Sequence, residues 1–441
     1  MTGSYSKLTE NLNKKEISFL AAQDLSNQAL SFLSTGLPTR KDEDWRYTNI
    51  QGLAQEGLIE SNAKDLSSLE KNEELLQELG KFKNEIVLLN GCFNSKLSKY
   101  EGCEVSILSN GLSKENEKAF DQQICKIHLE EDRANFIKNM SWAYFSEVIV
   151  LKVPTGTSPD SPLRIVHINL NDQTATQYIS SKLIVVLESE SKLELIEESI
   201  GLKGPSFSNL TTDIELKNNS KLCYFKNQKE TEVSHHFHHI TVLQDKNSRS
   251  EIFQLSTGAD IYKNYVNVQQ NEEQAESIIS GFYYAQGDQK QDHQVLASHD
   301  KPYGMSRQLY KGILDDRSRV VFNGKIYIAE DAQKVNSAQL NQSITLSSQA
   351  EVDTKPELEI LADDVSAQHG ATIGELDLSQ VFYLMSRGIS KKEAISLLIQ
   401  GFALETLEGI DSSQNIKSYI EVQLSELMKS LEGNLISGGK A

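Results

Sequence analysis

The chain has 441 residues, with 44 Lys and Arg against 62 Asp and Glu, a formal net charge of −18. That length exceeds one ordinary core, so roughly three domains or one extended repeat are expected, and the acidity argues against nucleic acid as a general partner. No apolar run is long enough to cross a bilayer, the start MTGSYSKLTENLNKKE lacks a basic-then-apolar leader, and the cysteines (Cys92, Cys103, Cys125 and Cys223) show no CxxC spacing; a cytoplasmic chain with free thiols is expected.

Residues 1–85 read as helical. Phe19, Leu20, Ala29, Leu30, Phe32 and Leu33 supply apolar faces near a 3.6-residue period, stopped by Gly36-Leu37-Pro38. A second helical stretch is expected from Leu66 to Leu79. Between them, Pro38 to Thr48 is too charged for a core strand and too aromatic for an idle loop.

From 86 to 374 the pattern changes to short β-rich runs such as Val148–Val153, Lys192–Ile196, Lys221–Phe225, Glu251–Leu255 and Val320–Ile328. Similar turns precede them. Ser191-Lys192, Ser220-Lys221 and Ser248-Arg249 recur about 29 and 28 residues apart, with echoes at Gln274-Ala275-Glu276, Ser318-Arg319 and Gln349-Ala350-Glu351. A repeat of this length whose units cannot bury an apolar face alone predicts a mainly β fold, a right-handed parallel β-helix. A large β-sandwich is the competing architecture.

Residues 375–441 return to helix. Asp377 caps a helix over Val381–Ser386, and Ser390 with Glu393 forms a capping box. Ala394, Leu397, Leu398, Gly401 and Phe402 then make one apolar stripe. A last helix carries Ile416, Tyr419, Ile420, Leu424, Leu427 and Leu431 and is expected to stop before Gly433. The apolar faces here exceed what so few helices bury among themselves.

No P-loop, GxSxG or HExxH motif occurs. In a strand, the run His235-His236-Phe237-His238-His239 puts two imidazoles on each face, a weak metal site without a third ligand; it reads as structural histidines, with a metal or cluster role as the alternative. The pairs Asp315-Asp316 and Asp363-Asp364 fall where turns are expected, and Cys223 sits inside a strand as a small buried hydrophobe. His369 lies at the junction of the β core and the C-terminal helices.

Several segments resemble a known family. Thr354 to Ile360, Ala362-Asp363-Asp364-Val365, His369-Gly370-Ala371-Thr372 and Phe382 to Ile389 are similar to the signature of the SufB/SufD family, scaffold subunits of the Suf iron–sulfur cluster assembly machinery. Asp292-His293, Tyr310-Lys311-Gly312-Ile313 and Val321-Phe322-Asn323-Gly324 extend the likeness. Pro38-Thr39-Arg40 with Glu43 to Thr48 places it on the SufD side of that family. The resemblance implies a non-catalytic scaffold with a β-helix between two helical domains. It implies a SufB-like partner at the end of the β-helix, the SufC ATPase on the C-terminal helices, and a homodimer in isolation. No permanently bound cofactor is expected. A transient Fe–S cluster would form at the SufB interface with His369 as a metal ligand; Ala367 stands where a cysteine is common, so no thiolate comes from that position. Strands Asn341–Leu346 and Pro356–Leu361 are expected at that end. The alternative function is a β-helix enzyme acting on polysaccharide through the Asp pairs, with Arg317 and Arg319 as candidate cations.

Overall fold

The computed structural model describes residues 7–12, 20–61, 79–101, 103–107, 135–411 and 413–437. The helical stretch expected from Leu66, and Cys125, lie outside the described residues. The core is a parallel β-solenoid of about seven turns. One sheet runs from Glu147–Val153 through Ser181–Leu187, Ser206–Leu216, His235–Gln244, Ile261–Gln270, Lys290–His299 and Arg319–Ile328 to Glu351–Ile360. The other runs from Asn84–Leu89 through Leu163–Leu170, Lys192–Lys203, Lys221–Glu230, Arg249–Gly258, Glu276–Ala285, Met305–Leu314 and Asn336–Thr345 to Ser366–Glu375. Along the coils successive strands alternate between the sheets, so each pairs in parallel with the strand one coil away. A sandwich built from antiparallel neighbours is thereby excluded.

The recurrent turns have a backbone cause. Glu190, Asn219, Asn247, Gln274, Tyr303 and Lys334 all adopt left-handed conformations, φ between 58° and 64°, at one corner of successive coils. Asn-type residues tolerate that region best, which explains the Asn-containing turns. Coils stack there through main-chain bonds such as Asn219 N–H to Lys246 O, 3.0 Å. The Ser318 and Gln349 echoes belong to the opposite corner, ahead of the other sheet's strands.

The strands outrun their expected lengths. Lys221–Phe225 extends to Glu230, and Lys192–Ile196 extends to Lys203. The reason lies in the interior. The lumen is apolar along one half, where Leu195, Leu222, Val242, Ile252, Val268 and Phe322 meet. Along the other half the inward positions are polar, so alternation of apolar residues ends before the strand does.

Both outer faces are covered. The Leu20–Leu33 helix, the Glu43–Trp45 turn and the Phe136–Ala143 helix share a core with outward Val186, Phe207 and Phe237. On the opposite sheet, Cys223, Phe225, Phe253 and Leu255 pack against Ile399, Ala403, Ile416, Ile420 and Leu424. Fully burying one such side chain contributes roughly 1.5–3 kcal/mol.

The C-terminal helices depart from the expected stripes. In Lys391–Leu404 the buried residues are Ala394, Ile399 and Ala403, while Leu397 is exposed. The small residues let the helix approach the sheet closely, and the leucine face stays outside. The last helix continues through Gly433 to Ser437. Asp377 caps Leu378–Ser386 by accepting from Ser379 N–H at 2.9 Å, and both halves of the Ser390–Glu393 capping box form. No described helix is long and apolar enough to cross a membrane.

Candidate functional site at the open end

The register carries inward columns from coil to coil. Gln308 pairs with Gln339 and Gln339 with His369; on the facing sheet Phe322 pairs with Thr354 and Gly324 with Pro356. Gln339 and Asn341 are buried, and Asn341 donates to the Tyr283 hydroxyl at 3.2 Å. His369 occupies the next position of the Gln339 column, where no further coil follows among the described residues and it is exposed. The expected terminal strand Asn341–Leu346 is corrected. That segment belongs to Asn336–Thr345, which pairs on both sides, and the two edges are Glu351–Ile360 and Ser366–Glu375.

The two edges differ. Ser366 N–H bonds back to Val335 O and Glu351 N–H back to Ser318 O. Alternation then turns the amides of Ala367, His369, Ala371 and Ile373 outward. In the other strand the outward set includes Pro356, which has no N–H to offer. The outer face of that strand is charged, with Arg319–Asp353 at 2.6 Å, Lys325–Glu359 at 2.7 Å and Lys355–Glu43 at 2.5 Å. The last pair ties the N-terminal element to the end coil, and the Lys355 bond and charge lower the Glu43 carboxyl below its ordinary value.

That N-terminal element is anchored by a cluster the sequence did not disclose. Trp45 is fully buried, with its ring 5.9 Å from Phe136 and 6.0 Å from Phe237. Lys263 Nζ lies 4.7 Å from the Trp45 ring centroid and bonds Asp44 O at 2.7 Å and Asp292 Oδ2 at 2.6 Å. The Thr48 hydroxyl donates to the same carboxylate.

The histidine run alternates faces as expected, but its inner members have structural partners. His236 Nδ1 meets Glu230 at 2.6 Å, and His238 Nε2 meets Thr212 Oγ1 at 2.9 Å. Outside, His239 stacks on Tyr265 at 4.7 Å. Among the described residues no group of three or more His, Cys, Asp and Glu is placed to hold a metal ion. Cys223 is buried against the C-terminal helices. Asp315 and Asp316 form a corner turn, Arg317 pairs with Asp288 and Arg319 with Asp353, so the candidate cations do not gather at the carboxylate pairs. Lys334 pairs with Asp364 at the other corner.

The polar half of the lumen was missed. Glu197 accepts from Tyr224 at 2.5 Å and meets His167 at 3.0 Å; Lys226 bonds Asn264 at 3.1 Å; Tyr310 donates to Gln254 at 2.6 Å. Burial pushes Lys226 down to about 7, against the pull of Glu197 and Glu230. Burial likewise lowers His293 to about 3 and His299 to about 4. The available signal was polar residues at every second position, as in Lys226, Gln228 and Glu230.

Residues 168–402 match the family described as SUF system FeS cluster assembly, SufBD core domain. The chain belongs to the SufBD family. Among its SufBD relatives, the iron–sulfur cluster assembly protein SufD of Escherichia coli is 31% identical over 387 residues, covering 86% of each chain. An iron–sulfur cluster assembly SufBD family protein of Synechocystis is 29% identical over 387 residues, covering 86% of this chain and 84% of its own. SufBD membership supports a role in iron–sulfur cluster assembly, and these relatives are named as assembly proteins.

Proposed function

We propose that this SufBD chain is a non-catalytic scaffold subunit that joins a SufB-like subunit and the SufC ATPase to build and pass on nascent Fe–S clusters. The observation that carries the reading is the bare last coil: His369 stands at an open lumen mouth beside an edge whose outward amides pair with no other strand among the described residues. A strand from a SufB-like solenoid adds to Ser366–Glu375, and main-chain bonds supply affinity. In isolation a second copy takes the same edge. The cluster is cargo, held transiently between the subunits, with His369 giving one imidazole. Imidazole is less electron-rich than thiolate, which suits a site that must release what it holds.

The ATPase docks on the C-terminal helices. Leu378 is 70%, Phe382 72% and Tyr383 58% exposed, beside a groove of about 300 Å³ lined by Tyr383, Leu384 and Leu398. Such a patch is unusual on a surface without a partner.

The test is co-expression with SufB and SufC, followed by iron and sulfide assay. His369→Ala is expected to leave the complex intact and lose cluster build-up. Full loading in a stable His369→Ala complex overturns the ligand role, and failure to co-purify overturns the scaffold reading.

A further inference from the structure

Gln339 lies one coil inside His369, in the same inward column. It is 2% exposed, and among the described residues neither its amide oxygen nor its amide nitrogen has a hydrogen-bond partner. Its carboxamide reaches across the lumen to the facing sheet. A Cβ built on Gly324 would stand 2.3 Å from the Gln339 amide nitrogen and 2.8 Å from the Phe322 ring, so glycine at 324 is what lets the amide lie there. A buried amide with both atoms unpaired destabilises a fold, and an apolar side chain of the same size would pack at that place without the loss. Among the described residues Asn341 Oδ1 and Thr354 Oγ1 are also without partners near the mouth, but Gln339 is the residue in register beneath His369.

We propose that Gln339 is a positioning residue for His369. In the structure its side-chain carbonyl is unpaired among the described residues; when the imidazole binds metal, that carbonyl accepts the ring N–H that faces inward, which fixes the tautomer and turns the other nitrogen out of the mouth. Adjacent strands stand about 4.8 Å apart, within reach of two stacked side chains of this length. An imidazole that binds metal through one nitrogen gives its other N–H to an acceptor, and losing that acceptor typically weakens metal binding roughly 10- to 100-fold. The inference rests on the ligand role given to His369 above.

The experiment compares His369→Ala, Gln339→Leu and Gln339→Glu in the full chain co-purified with its partners. It reads thermal unfolding, titration with ferrous iron and sulfide, and the nitrogen couplings of the reduced cluster by pulsed electron paramagnetic resonance after histidine ¹⁵N labelling. Gln339→Leu is expected to unfold at the same or a higher temperature. Its apparent affinity in the titration drops about 10- to 100-fold and its nitrogen couplings change. Gln339→Glu, which retains an acceptor, recovers most of the loading. A purely structural glutamine predicts the reverse: lower stability in the leucine variant, with unaltered couplings. Wild-type loading and couplings in Gln339→Leu, with loading lost in His369→Ala, overturn the inference and leave the ligand role standing. Wild-type loading in His369→Ala overturns both.

Discussion

The strands Asn336–Thr345 and Ser366–Glu375 are consecutive members of one sheet, and they differ in what lies above them. Ser337, Gln339, Asn341 and Ser343 are buried, while the corresponding His369, Ala371 and Ile373 are exposed. The outer coil keeps the columns and pairing of a covered one and lacks only its cover. Its two edges are also unequal, one guarded by Pro356 and charge, the other nearly neutral with its amides free. The lesson is that burial in a solenoid is conferred by the next coil, and the proposed scaffold role has another chain supply that coil on one specific edge.

Acid should separate the covered coils from the end most strongly. The folded values of His299 and His293 lie below that of a free imidazole, so stability is fully present above about pH 6.5 and is lost as pH falls through about 4 and 3. At about 1.4 kcal/mol per unit of separation, His299 accounts for on the order of 3 kcal/mol and His293 for on the order of 5 kcal/mol. Urea unfolding of His299→Gln between pH 4 and 7 should show a flatter slope than the parent; equal slopes would remove His299 as a cause. The glutamine retains a donor for Ser306 and Ser337, which lie 2.9 and 3.0 Å from the ring nitrogen.

Next in size is Ala371→Pro, which removes one outward amide from the neutral edge. A lost ladder bond and a ring thrust at the incoming strand should weaken binding of the proposed SufB-like partner by on the order of 2–3 kcal/mol, roughly 30- to 150-fold. Calorimetric titration measures it, and an unchanged dissociation constant would place docking elsewhere.

A comparable contrast exists among the C-terminal helices, where Gln414–Ser437 buries Ile416, Ile420 and Leu424 while Leu378–Ser386 buries only Val381. Phe382→Ser should weaken SufC binding by about 1.5–2 kcal/mol and leave the melting temperature unaltered. A lowered melting point instead would mean that Phe382 serves the fold.

Smallest is Pro356→Val, which restores a donor to the guarded edge. Folding should change by less than about 0.5 kcal/mol, with slight self-association in sedimentation at high concentration. Sedimentation identical to the parent would show that Glu351, Asp353 and Glu359 suffice as guards.

The sequence disclosed the repeat because the corner turns need a left-handed residue, and Asn219 and Asn247 betray it. It disclosed where strands begin for the same reason. It concealed where they end, since Lys226, Gln228 and Glu230 face a polar lumen that no apolar alternation marks. His369 was visible through its neighbours in the chain. Gln339 and Gly324 were not, because their relation to it depends on registers across 30 and 45 residues of sequence. Likewise Trp45 stood out as an aromatic among charges, but its partner Lys263, and the Asp292 that holds Lys263, lie more than 200 residues away.

The stacking of identical coils has a dimensional consequence. The C-terminal helices are braced on the outer side of successive coils from Phe225 and Phe253 through Phe282 to Ile313, with Ile344 packed against them, and the open edge is the next strand along the axis. Their separation is therefore counted in whole strand spacings of about 4.8 Å. Adding or deleting one coil would shift one contact surface against the other by that step and leave each locally unaltered. The solenoid acts as a spacer with a fixed graduation, so a variant with one coil more or fewer would hold its two proposed partners at different but still quantised distances.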